Sequence, residues 1–184
     1  MANGTLKVSN IQTSSGSGTI TIGQSGETVA FGSGVTSKVN EPYFEVTLST
    51  SNQIISDESD TKITWNDVNF DTNSNWNSSD YRWLPTVAGK YFVYLQVGCN
   101  AQGSSQLTDH FGWIEKNGTM VSRSHNNPQT GGFYYNTLNT YIILDMNGTT
   151  DYVEGWARIN DTSGSPEVQS GLGYSKFGAY RIGS

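Results

Sequence analysis

The chain has 184 residues and a formal charge of −6, ten Lys and Arg against sixteen Asp and Glu. It therefore lacks the concentrated cations that a phosphate backbone requires, and no apolar run approaches the roughly 20 residues that span a bilayer. With charged residues at only 14%, aromatics at 12%, 21 glycines and a single cysteine, it reads as a disulfide-free β protein with an aromatic core and a Ser/Thr/Asn surface.

Residues 1–41 are expected to form a separate N-terminal arm. Apolar alternation occurs there only in short pieces: Leu6 with Val8, Ile20 with Ile22, Val29 with Phe31. Between them, residues 14–18, 23–26 and 32–34 are Gly/Ser runs that punctuate like turns. Two or three such short strands cannot bury a core alone. The arm must then dock on its own domain, on copies of itself or on a larger assembly; the alternative is a flexible Gly/Ser linker. Alternation on both sides of the turns favours docking. The opening residues, Met-Ala-Asn-Gly-Thr, carry neither the basic start nor the apolar stretch of a secretory signal, which predicts folding in a cytoplasm.

From residue 42 to 184 the text is strand and turn. Strands are expected over residues 43–48, 62–65, 68–70 and, most strongly, 91–97, where a turn made by Pro85 and Gly89 leads in. Further strands are expected at 111–116 and 119–121, joined by Asn117-Gly118, the strongest short-range hairpin signal because both residues tolerate positive φ. A second Asn-Gly, Asn147-Gly148, separates residues 141–146 from 152–157, and a last strand covers 177–182. No window shows helical periodicity. About eight to ten short strands with frequent turns predict an all-β, antiparallel two-sheet sandwich or barrel.

Trp65, Asp71, Trp76, Trp83, Gly89 and Tyr91 fall in an order and spacing that resembles the signature of the complement C1q globular head. The closing residues 175–182, with Phe177, look like that family's last strand, and residues 144–153 are similar to the stretch preceding it. The sequence departs from the pattern at Trp65 and Trp83, where the family carries Phe, at Val93, also Phe in the family, and at Ala179, usually Gly. The resemblance covers residues 43–182 and implies a C1q/TNF-like jelly roll that assembles as a tight homotrimer. In such a sandwich Trp65, Trp83, Tyr91 and Phe177 are expected to fill the space between sheets, since flat rings fill it at low entropic cost. Trp76, Tyr134 and Tyr135 lie in polar, turn-rich sequence and are expected to be exposed ligand or subunit contacts. Residues 3–23, in turn, look like the opening of fibre and other structural proteins of marine tailed bacteriophages.

The sequence offers little for catalysis. His110 and His125 are the only candidate bases; Asp109-His110 precedes a strand, residues 124–128 read as a loop, and no nucleophile elbow or zinc helix accompanies them. Cys99 ends an apolar run and is expected to be a half-buried, inert thiol. Two His and one Cys make no zinc site. Calcium is the minority expectation, through residues 57–60 or Asp145 with Asp151. Together these readings predict a non-enzymatic, homotrimeric virion protein made in a host cytoplasm: a short fibre, head fibre or capsid-decoration protein. Its arm would engage other virion proteins and its knob would meet a host-surface glycan or stabilise the shell, with neither nucleic acid nor membrane insertion involved. The alternatives are a secreted bacterial C1q-like ligand-binding module and a polysaccharide-degrading enzyme with paired carboxylates.

Overall fold

Alternation turns into two-faced strands most clearly at residues 89–100, where Tyr91, Val93, Leu95, Val97 and Cys99 are buried while Lys90, Phe92, Tyr94 and Gln96 point the other way. A computed structural model describes residues 8, 11, 20–22, 41–103, 106–128, 132–162, 165–171 and 173–183. The chain separates into two compact units, Met1–Ser37 and Lys38–Ser184. Within the first, Val8, Ile11, Ile20 and Ile22 are exposed; the rest of the expected arm, including its turns and short strands, lies outside the described residues.

The second unit contributes thirteen strands among the described residues: β1 (Tyr43–Thr47), β2 (Gln53–Ile54), β3 (Thr61–Lys62), β4 (Asp67–Asp71), β5 (Trp76–Asn77), β6 (Arg82–Trp83), β7 (Gly89–Asn100), β8 (Leu107–Lys116), β9 (Thr119–Asn126), β10 (Tyr135–Met146), β11 (Val153–Asp161), β12 (Glu167–Val168) and β13 (Lys176–Gly183). One seven-stranded sheet runs β2-β12-β7-β13-β1-β4, with β10 also paired to β7. The other, six-stranded, runs β5-β6-β11-β8-β9, with β3 paired to β11. Every strand pair is antiparallel. The expected all-β jelly-roll sandwich is what forms.

The two Asn-Gly pairs have different fates. Asn117 (φ 53°) and Gly118 (φ 75°) form the expected tight hairpin between β8 and β9. At Asn147-Gly148 no hairpin exists, because β10 belongs to the seven-stranded sheet and β11 to the other. The chain crosses between layers there, and Asn147 Oδ1 organises the crossing by accepting the N–H groups of Thr149, Thr150 and Asp151 at 2.9–3.0 Å. Gly148 sits at φ 71°, and a Cβ on it would collide with the backbone of Ala88. Two other expectations change. Residues 62–65 pair only as far as Lys62, although Ile63 and Trp65 still enter the core. β9 continues to Asn126, so His125 is a strand residue and not a loop residue.

The core is a chain of rings linking the sheets. Phe44 on β1 stacks on Trp83 of β6 at 4.6 Å and on Trp76 of β5 at 5.7 Å, and meets Phe177 of β13 edge-on at 5.2 Å. Phe177 lies over Trp65 at 6.0 Å, and Trp83 meets Tyr91 edge-on at 5.4 Å. Among the described residues the indole N–H groups of Trp65 and Trp83 have no hydrogen-bond partner, so packing has overridden a polar cost of about 1–3 kcal/mol each.

Trp83→Ala should lower the unfolding free energy by about 3–5 kcal/mol in a urea titration. Trp83→Phe should cost clearly less, since it keeps a ring against Phe44 and Tyr91 and leaves a smaller cavity. Equal losses for the two variants would show that the ring stack does not set the loss.

Candidate functional site

The signature positions occupy the interior and its rim. Trp65, Trp83, Tyr91 and Phe177 are all within 1% of full burial. The hydroxyl of Tyr91 donates to Val87 O at 2.6 Å, and Asp71 Oδ2 accepts the backbone N–H of Trp76 at 2.8 Å, tying the start of β5 to the end of β4. Gly89 opens β7 where a Cβ would strike the carbonyl of Gly183. Of the residues expected to meet a ligand, Tyr134 and Tyr135 are exposed, but Trp76 is half-buried on Phe44 and belongs to the core wall. Trp76 also adjoins Trp83, which touches Tyr91, whereas Tyr135 pairs with Asn100 nine positions further along β7, roughly 30 Å away at the rise of a strand. The three do not make one site.

A different surface gathers apolar side chains. On the outer side of the seven-stranded sheet, cross-strand register sets Ile143 opposite Phe92, Phe92 opposite Tyr180, and Tyr180 opposite Tyr43. Tyr43 meets Phe70 of β4 at 5.5 Å, and Phe92 packs against Tyr180 at 5.3 Å and Tyr141 at 5.8 Å. The band thus crosses five strands, and Tyr141 and Ile143 remain 68% and 58% exposed. Below it, the Tyr94 hydroxyl fills the space over Gly178 and donates to Glu45 at 2.6 Å. Burial, then that hydrogen bond and the Glu45 charge, hold this phenol well above its ordinary pKa. Sequence reasoning named none of these residues as a site. The signal was present in the outward-facing half of each alternation, at Phe92, Tyr94, Tyr141, Ile143 and Tyr180, where a solvated sheet face would carry polar residues.

The groups considered for catalysis are otherwise engaged. Cys99 is fully buried, and burial alone drives its thiol pKa far up. His125 Nε2 lies 2.5 Å from Asp109 and its ring stacks on Phe111 at 4.1 Å; among the described residues no hydroxyl hydrogen bonds to it. The carboxylates considered for calcium are committed separately: Asp145 to Lys90 at 2.6 Å, Asp151 to Lys116 at 2.9 Å, and Asp57 to the N–H of Asp161 at 2.9 Å. Among the described residues, no three metal-binding side chains cluster, and no helix is long and apolar enough to cross a membrane.

His110 is fully buried on the inner side of β8. Its Nδ1–H donates to Thr108 O at 2.9 Å and its Nε2 accepts the Asn136 amide at 2.7 Å, an arrangement that suits neutral imidazole. Burial is the main reason its pKa falls below the ordinary 6.5; the Thr108 carbonyl and Asp109 oppose the fall, and His125 adds to it. The folded pKa therefore lies below the unfolded one. Stability is fully present above about pH 6.5 and is lost as pH falls, because the unfolded chain takes up the proton first. Urea midpoints should drop between pH 7 and pH 5, and His110→Gln should flatten that slope. An unchanged slope in the variant would assign the dependence to other groups.

No protein-family model and no curated protein matches the chain. Solved structures do. Eiger TNF from S. frugiperda is 11% identical, with 77% of this chain and 92% of that one aligned at a TM-score of 0.58. Murine APRIL at pH 5.0 is 14% identical, with 77% and 100% aligned at 0.55, and at pH 8.5 it aligns over the same shares at 0.51. At such identities the likeness is one of fold. The second unit is a TNF-like antiparallel jelly roll, the architecture that the resemblance over residues 43–182 implies.

Proposed function

We propose that the protein is a non-catalytic homotrimer whose jelly rolls meet through the outer face of the seven-stranded sheet. The observation that carries this reading is the continuous band of Ile143, Phe92, Tyr180, Tyr43 and Phe70 with Tyr141 beside it. An apolar strip across five strands is a costly surface to leave in water, and monomeric domains rarely keep one without a partner. The TNF-like fold supports a closed assembly of identical copies, which covers the strip on every copy at once.

We further propose that the trimer is displayed on a bacteriophage particle, as a short fibre, head fibre or decoration protein. The resemblance of residues 3–23 to phage structural proteins supports this, as do the exposed Val8, Ile11, Ile20 and Ile22, which suit an arm docked on another virion protein. Three knobs on one axis convert a weak contact with a host surface into a durable one through effective concentration.

Light scattering should give three times the chain mass of 20.1 kDa, and Tyr141→Glu with Ile143→Glu should give a folded monomer. A wild-type chain that stays monomeric at micromolar concentration would defeat the assembly. Removal of residues 1–41 should leave a trimer that no longer joins particles; continued incorporation would mean that attachment lies in the jelly roll.

A further inference from the structure

The outer face of the six-stranded sheet is of the opposite character to the apolar band. Register places two neighbouring rows on it: Arg158, Phe111 and His125 in one, Trp156, Trp113 and Arg123 in the next. The rows are two residues apart, about 7 Å along the strands. Between them opens a cleft of about 120 Å³ lined by Asp60, Phe111, Trp113, Met120, Arg123 and Arg158. Trp113 forms its floor at 3% exposure, its indole N–H spent on Glu115 at 2.9 Å, while Met120 stands 45% exposed at the edge.

The cations of this face are unequally used. Lys62 is held by Glu154 at 2.6 Å. Arg123 lies over the Phe111 ring at 5.1 Å and, among the described residues, meets no carboxylate. Arg158 comes only to 3.7 Å from Asp60, and among the described residues its buried Nε has no hydrogen-bond partner. In a chain of net charge −6 with ten cationic side chains, two guanidinium groups with spare donors thus converge on one small cleft.

We propose that this cleft binds a uronate-type sugar, a saccharide residue bearing one carboxylate, within an acidic polysaccharide. The planar carboxylate suits the donor fork of Arg158 and Arg123. The C–H face of the pyranose lies against Met120 and the aromatic floor, and Asp60 at the rim accepts a sugar hydroxyl. The same Asp60 repels a second negative charge, which distinguishes a uronate from phosphate or densely sulfated chains. The proposal deepens the host-attachment reading above by naming its ligand class, and it needs the trimer only for avidity, since each cleft lies within one chain.

Titration of the full chain with trigalacturonate, followed by tryptophan fluorescence, should saturate. The fully methyl-esterified trimer of the same sugar should bind at least about tenfold more weakly, and so should trigalacturonate with the Arg123→Ala/Arg158→Ala variant, whose fold is checked by circular dichroism. Equal binding of the ester, indifference to the arginine pair, or no binding at all would overturn the site. Equal or tighter binding of a short oligoglutamate would overturn the sugar in favour of an acidic peptide. Light scattering on the same samples separates the two readings: a trimer that ignores the uronate refutes the cleft alone, and a monomer that binds it refutes the assembly alone.

Discussion

The stacking of Phe44 between Trp83 and Trp76 is the contact on which the rest depends. Phe44 belongs to the seven-stranded sheet and the two indoles to the six-stranded one, so this single stack fixes the spacing of the layers. Phe177 and Trp65 extend it in one direction and Tyr91 in another. β5 and β6 have two residues each and too little backbone pairing to hold a place in a sheet unaided. Their rings hold them there. The tolerance of orphaned indole N–H groups at Trp65 and Trp83 shows which force won: ring area removed from water outweighs the missing hydrogen bonds.

Once the inward positions are committed to that core, strand alternation decides what faces outward, and the sheets differ sharply. Across β10, β7, β13, β1 and β4 one band of outward positions is Tyr, Phe and Ile, with a part-buried Tyr94–Glu45 hydrogen bond beside it. Across β11, β8 and β9 they are Trp, Phe, Arg and His, with cations lying over ring faces. An apolar surface gains by meeting a copy of itself, which carries the same surface. A guanidinium-lined surface gains by meeting an anion. The two faces of one sandwich thus offer opposite chemistries, one apolar and one lined by guanidinium groups over rings.

Polar groups caught inside follow the same economy. His110 and Asn136 satisfy each other between the layers, and Glu167 receives the amides of Asn52, Asn100 and Gln102 where β12 meets β7. The His110 contacts suit a neutral imidazole, and both clusters bring together segments far apart in sequence.

Local chemistry settled much in advance. Alternation at residues 91–97 defines a strand wherever it lies, Asn117-Gly118 makes a hairpin because both residues accept positive φ, and the residues from Trp65 to Tyr91 resemble the pattern of a jelly-roll family. What it left open depends on partners distant along the chain. Asn147-Gly148 has the same letters as the hairpin turn but joins strands of different sheets, because β10 pairs with β7 and β11 with β8. Trp76 sits in polar, turn-rich sequence yet is drawn against Phe44, and His125 is carried into β9 by its pairing with Phe111. The apolar band and the arginine cleft exist only through register between strands many residues apart. Periodicity states that a side chain alternates; only the folded sheets decide which alternate set is inside and which neighbours the other set acquires.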